Sequence, residues 1–175
     1  MTRLFKGALL LMATVLLLSA CSGNAKEEQK ATNDKVVKMF NSTPKKANNK
    51  NKDIRFYLPF GFEIKEKSAN NILLKNGSKK YILFYNPNET TVSKVVYNAT
   101  IGINEKFEYK KTYKKDDQFG FLLIRKLDKN LQEVTVGIGG VKITTETKTK
   151  SMKSDAETMM QIVKSVKIVE KTNKK

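Results

Sequence analysis

Hydrophobic and polar positions divide the chain into four stretches of different character. Residues 8–18 form an apolar run, residues 22–52 are almost wholly polar, residues 53–149 alternate, and residues 154–166 repeat at helical spacing. The apolar run is shorter than the roughly 20 helical residues that cross a hydrocarbon core. In the alternating stretch, Ile54, Phe56 and Leu58 are separated by Arg55 and Tyr57, the period of two expected of a half-buried strand. Pro59-Phe60-Gly61 predicts a turn, after which Phe62-Glu63-Ile64-Lys65 resumes the alternation.

Asn71–Lys75 and Tyr81–Tyr85 read as a hairpin around Asn76-Gly77, a pair suited to a type I′ turn. The second of these strands is apolar on both faces, which predicts a central position. Further strands are predicted over Phe107–Tyr113, Phe119–Leu127, Leu131–Ile138 and Val141–Thr149, with turns at Lys115-Asp116-Asp117, Asp128-Lys129-Asn130 and Gly139-Gly140. Residues 90–104 stay open: Val92, Val95, Val96 and Ala99 have helical spacing, but valine favours sheets. Ser154-Asp155-Ala156-Glu157 fits a capping box with Ser154 as N-cap. Ala156, Met159, Met160, Val163 and Val166 then line one face of a closing helix. The expected fold class is α+β, an antiparallel β-meander packed by a C-terminal α-helix.

Residues 22–52 lack the apolar content to offset the entropy of ordering and read as a flexible basic linker spanning roughly 30 Å. Within it, Lys35-Val36-Val37-Lys38-Met39-Phe40 is short enough to be a transient helical spot, with a docking segment as the alternative. The domain organisation expected is thus 1–20 leader, 21–52 linker, 53–169 one α+β domain and 170–175 a frayed basic tail.

Charge changes this picture at the leader. Arg3 and Lys6 precede the apolar run with no acid among them, and Ser19-Ala20 supply the small residues a signal peptidase tolerates. The lone cysteine, Cys21, follows directly. Leu18-Ser19-Ala20-Cys21 resembles the lipobox of bacterial lipoproteins. The resemblance implies a diacylglyceryl thioether on Cys21, cleavage between Ala20 and Cys21, and a cell-membrane anchor on the extracytoplasmic side. An unlipidated secretory leader is the alternative, but it leaves a free reactive thiol at the cut. Hydrophobic fragments such as Thr14–Ala20 also resemble peptide pheromones that some Gram-positive bacteria cut from lipoprotein leaders.

Across the domain, Phe56-Tyr57-Leu58-Pro59-Phe60-Gly61-Phe62 looks like the opening strand and turn of the PsbP-like family. Met160-Gln161-Ile162-Val163-Lys164-Ser165-Val166 is similar to that family's closing helix. That resemblance implies an α+β sandwich in a non-enzymatic accessory protein of a membrane complex, and it carries no ligand residue over.

Lysine and arginine total 34 against 17 acids, a formal net charge of +17. Such a surface attracts wall polymer or anionic lipid, and Lys79, Lys80, Lys110, Lys111, Lys114 and Lys115 are the candidate polyanion contacts. Lysine and asparagine abound together, however, as AT-rich coding in low-GC Gram-positive bacteria produces. Arginine, which forks onto phosphate, stands only at Arg3, Arg55 and Arg125.

The chain has no histidine, which removes the commonest general base and zinc ligand. Once Cys21 is lipidated no thiol remains for catalysis, a disulfide or a metal. Gly137-Ile138-Gly139-Gly140 lacks the Gly-Lys-Ser/Thr of a phosphate loop and reads as a hairpin. Asp116-Asp117, between Lys115 and a turn, reads as a solvated pair rather than an acid–base couple or cation site. Aromatics interleaved with lysine over residues 107–114 suit base stacking, but an extracytoplasmic protein meets little nucleic acid. The function expected is a non-enzymatic binding or accessory module in contact with an envelope protein, without cofactor; polyanion binding is the alternative.

Overall fold

The computed structural model describes residues 25–103 and 106–169. The alternating segments form a seven-stranded antiparallel sheet: β3 (Phe62–Lys67), β4 (Asn71–Asn76), β5 (Lys79–Tyr85), β6 (Tyr109–Lys115), β7 (Gln118–Asp128), β8 (Leu131–Ile138) and β9 (Val141–Lys148). Their spatial order is β3-β4-β5-β9-β8-β7-β6, which makes β5 interior, as its apolar faces predict. Three short strands, β1 (Asn49–Lys50), β2 (Ile54–Phe56) and β10 (Lys167–Ile168), form a second sheet in the order β1-β2-β10. The antiparallel α+β class expected from the sequence is the class observed.

Tight turns set the registers. Asn76 pairs with Lys79, so the β4–β5 loop is Gly77-Ser78 rather than Asn76-Gly77. Gly77 has φ +59° while Ser78 and Asn76 do not enter the left-handed region. That is a II′-like turn, with glycine first, in place of the I′ turn predicted. Gly139, at φ +53° in the β8–β9 turn, has no substitute, because a Cβ there would lie 2.2 Å from the Thr90 carbonyl oxygen.

One sheet face carries Leu74, Tyr81, Leu83, Ile143, Val136, Val134, Leu122 and Ile124, all buried. Helix α3 (Met152–Ser165) lies on it and buries Met152, Ala156, Met159, Met160 and Val163. Both central methionines are core side chains. The helix begins earlier than the capping box implies. Ser151 is the N-cap, without a side-chain cap bond, and Ser154 Oγ donates to the Ser151 carbonyl at 3.0 Å. Asp155 stays in the first turn but is turned inward, and Glu157 pairs with Lys35 at 3.4 Å.

The linker expectation needs the largest correction. Residues 25–41 are helical (α1), and Val36 and Phe40 are 0% and 1% exposed within the main core. Gln29, Thr32, Val36 and Phe40 share one buried face at helical spacing. Two of these four are polar, which hides the stripe from a hydrophobicity count. Thr32 satisfies its own hydroxyl by donating to the Glu28 carbonyl at 2.6 Å. Only residues 42–48 of the predicted linker run without helix or strand before β1.

On the opposite sheet face, the stretch left open between helix and strand is helix α2 (Val95–Gly102). Its buried positions are Val96 and Thr100, while Val92 and Val95 are half exposed. Val96, with Tyr97 and Ile101, covers Phe119, Phe121 and Leu123 of β7. The leader, Ala20, Cys21 and the tail from Glu170 lie outside the described residues. No described helix is long and apolar enough to cross a membrane.

Candidate binding face

Helix α2 covers only part of its sheet face. The Tyr97 ring stands 5.5 Å from that of Phe119 and 5.4 Å from that of Phe121, over the β7 side of the sheet. Lys142 closes the boundary, with Nζ donating to Thr100 Oγ1 at 3.0 Å and lying 5.9 Å from the centre of the Phe84 ring. Beyond that boundary no element among the described residues covers strands β4, β5, β9 and β8, and a concavity of about 600 Å³ opens there.

Its floor is apolar and its rim is charged. Leu73, Ile82 and Leu131 supply the floor, and Lys80, Lys148, Glu133 and Glu146 supply the rim. Ile82, on an interior strand, is 51% exposed. An isolated exposed isoleucine needs no explanation, but this one sits opposite Leu73 and joins it in an apolar floor. Glu133 and Glu146 face each other across β8 and β9. Directly opposed like charges are unfavourable, and Arg125 offsets them by donating to Glu133 at 2.8 Å. The Thr135 and Thr144 hydroxyls bond each other at 2.9 Å. This face offers apolar contact at Leu73, Ile82 and Leu131 and charge at its rim.

The six lysines predicted as polyanion contacts do not assemble into one patch. Lys79 Nζ binds Asp155 Oδ2 at 2.5 Å and also reaches Thr147 Oγ1 at 3.4 Å, so its charge is spent internally. Lys80 is exposed on the groove rim. Lys110, Lys111, Lys114 and Lys115 lie on β6, the edge strand. Between β5 and β6 stand β9, β8 and β7, a separation of about 19 Å at normal strand spacing. Alternation divides the β6 set again. Lys110 and Lys114 project from one face, whereas Lys111 packs 5.8 Å over the Tyr109 ring and Lys115 donates to the Asn41 carbonyl of α1. The groove residues Leu73, Ile82, Leu131, Glu133 and Glu146 went unpredicted. The available signal was β5 itself, apolar on both faces yet carrying Lys80.

Two phenols, Tyr81 buried and Tyr113 partly buried, flank this architecture. Tyr81 donates to Asp155 Oδ1 at 3.1 Å, and burial, then the Asp155 charge, pushes its ionisation well above the ordinary phenol value of 10.0. Tyr113 donates to Asn33 Oδ1 of α1 at 2.9 Å and is raised likewise, by burial first and then by Tyr109 and Asp34. A folded state that holds these protons more tightly than the unfolded chain is favoured below the ordinary phenol pKa and loses that advantage above it. Unfolding free energy is therefore expected to fall as pH rises past about 10. Tyr113→Phe should flatten that fall; an unchanged slope in denaturant titrations of both proteins would refute the assignment.

No family model matches the chain, and no curated protein matches it. Among solved structures it is similar to a protein from Bacteroides thetaiotaomicron VPI-5482, with 8% identity and a TM-score of 0.36 over 70% of this chain and 47% of that one. The chain thus spans about half the length of that structure.

Proposed function

We propose that the chain is a lipid-anchored, non-enzymatic binding module at the extracytoplasmic face of a bacterial membrane, engaging an envelope protein across the open half of its sheet. The observation that carries this reading is the lone cysteine placed directly after Ser19-Ala20 at the end of a basic-then-apolar leader. Two acyl chains on that residue suffice for stable anchoring. The partly apolar groove over Leu73, Ile82 and Leu131 supplies the surface such a module would use. The split lysine set weighs against the polyanion reading.

The test is metabolic labelling with a fatty acid, followed by membrane fractionation. Wild-type protein is expected to take up label and to run at the mass of the cut chain. Cys21→Ser should lose the label and keep the leader. Unlabelled wild-type protein, fractionating as the serine variant does, would end the proposal. Photo-crosslinking from position 82 in intact cells then tests the groove: recovery of wall polymer in place of a protein would favour polyanion binding.

A further inference from the structure

The order of α1 has a geometric consequence for how an anchored chain sits. Helices α1 and α3 lie side by side and run the same way. Lys35 meets Glu157 at 3.4 Å, Met39 Sδ meets Gln161 at 3.4 Å, and the Phe40 carbonyl accepts from Lys164. Stepping back one turn at a time in both helices brings residue 31 level with Lys153 and residue 27 level with Thr149. Residue 25 therefore lies at the end of the domain where α3 begins. The β7–β8 turn is at that same end, since the Thr149 amide donates to the Asn130 carbonyl at 3.0 Å. From Cys21 to residue 25 there are four peptide units, which reach at most about 14 Å in any conformation.

We propose that this end of the domain is a membrane-facing surface that takes anionic lipid headgroups; the inference rests on the anchoring of Cys21 proposed above. Lys126, Lys129, Lys148, Lys150 and Lys153 are all exposed there. Leu127 stands among them, 37% exposed, as an apolar contact at headgroup depth. The exposed acids at this end include Glu27 on α1, Glu108 just before β6, Glu146 on β9 and Asp128, whose Oδ1 accepts from the Lys129 amide at 2.7 Å; the five lysines outnumber these four. The positive end of α3 points the same way. At the far end of the sheet, the β6–β7 turn presents Asp116 and Asp117 beside Lys114 and Lys115, so charge there is balanced. A leash this short keeps the start of α1 within about one or two Debye lengths of the lipid surface, the range over which charge at this end of the domain is felt. Headgroup binding would then fix the orientation of the domain, as well as its distance from the bilayer.

The experiment uses the mature lipidated chain reconstituted into vesicles of phosphatidylcholine, alone or mixed with phosphatidylglycerol. Cys21 being blocked by its thioether, Asn130→Cys and Asp117→Cys each supply one thiol for a fluorophore, and a headgroup-attached quencher reports proximity. Strong quenching at 130 and weak quenching at 117 is expected, with the difference growing in anionic vesicles and shrinking in high salt. Each lysine near an anionic surface contributes about five-fold in partition. Lys129→Glu combined with Lys150→Glu and Lys153→Glu should therefore bring the 130 signal down to that of 117. Far-ultraviolet circular dichroism would check that the variant stays folded. Equal quenching at the two positions, or no response to phosphatidylglycerol, overturns the inference. Displacement of the 130 probe by soluble polyphosphate at matched phosphate concentration would reassign the lysines to free polyanions and overturn it too. A chain that never enters the vesicles refutes the anchor itself, which is a separate failure from the quenching pattern of chains that do.

Discussion

Replacing Phe40 by alanine is expected to lower the unfolding free energy by about 3–5 kcal/mol, the usual cost of emptying an aromatic site in a core. Phe40 is 1% exposed and stands 5.6 Å, ring to ring, from Tyr113. It also fills the space above Gly120, where a Cβ would come within 2.6 Å of the ring. Lys164 Nζ lies 5.3 Å from the ring centre and donates to the Phe40 carbonyl, so the residue ties α1 to α3 as well as to the sheet. Urea denaturation measures the effect. A surface position in a tether would change stability by about 0.5 kcal/mol or less. A loss that small would return residues 25–41 to the status of a linker, and with it the short leash on which the orientation of the domain depends.

The second large effect is expected at Asp155. Its carboxylate accepts from Lys79 at 2.5 Å, Thr147 Oγ1 at 2.5 Å and Tyr81 at 3.1 Å. Tyr81 and Thr147 are each 2% exposed, so Asp155→Ala strands two buried hydroxyls together with a cation. Each stranded buried group costs about 1–3 kcal/mol. The Lys79 side chain, 31% exposed, recovers water and softens the penalty. A net loss of about 2–4 kcal/mol follows. Asp155→Asn keeps one acceptor oxygen and should recover part of it. Denaturation curves of the two variants decide the matter: equal losses would mean that the carboxylate charge, and not the retained acceptor oxygen or shape, carries the effect. The same contact explains why Lys79 is unavailable to an outside anion, and no count of lysines along the chain reveals that.

How legible the molecule was depends on whether a residue's partner lies nearby in sequence. Alternation at Ile54-Arg55-Phe56, the two-faced apolar strand at Tyr81–Tyr85 and the stripe Ala156-Met159-Met160-Val163 each carry their own period, and all three appear where it puts them. Helix α1 failed the same test because half of its buried face is Gln29 and Thr32, residues that only tertiary contact removes from water. The capping box failed for a related reason. Asp155 fits a helix start by type, but Lys79 and the buried Tyr81 of β5 and Thr147 of β9 claim its oxygens. Asn76-Gly77 was displaced by one residue because strand register, set by Leu74 opposite Tyr81 on the buried face, decides which two residues form the loop.

By itself the sequence determined the α+β class, the strands of the main sheet and the closing helix, since local period and turn chemistry are properties of neighbours along the chain; the short β1 and β10 were not legible in it. It also contains every residue on which the proposed anchor depends. Strand order, the open half-sheet over Ile82, the internal use of Lys79 and the common direction of α1 and α3 were decided only by tertiary structure. Each of them depends on residues tens of positions apart being brought within a few ångströms, and no periodicity along the chain encodes that.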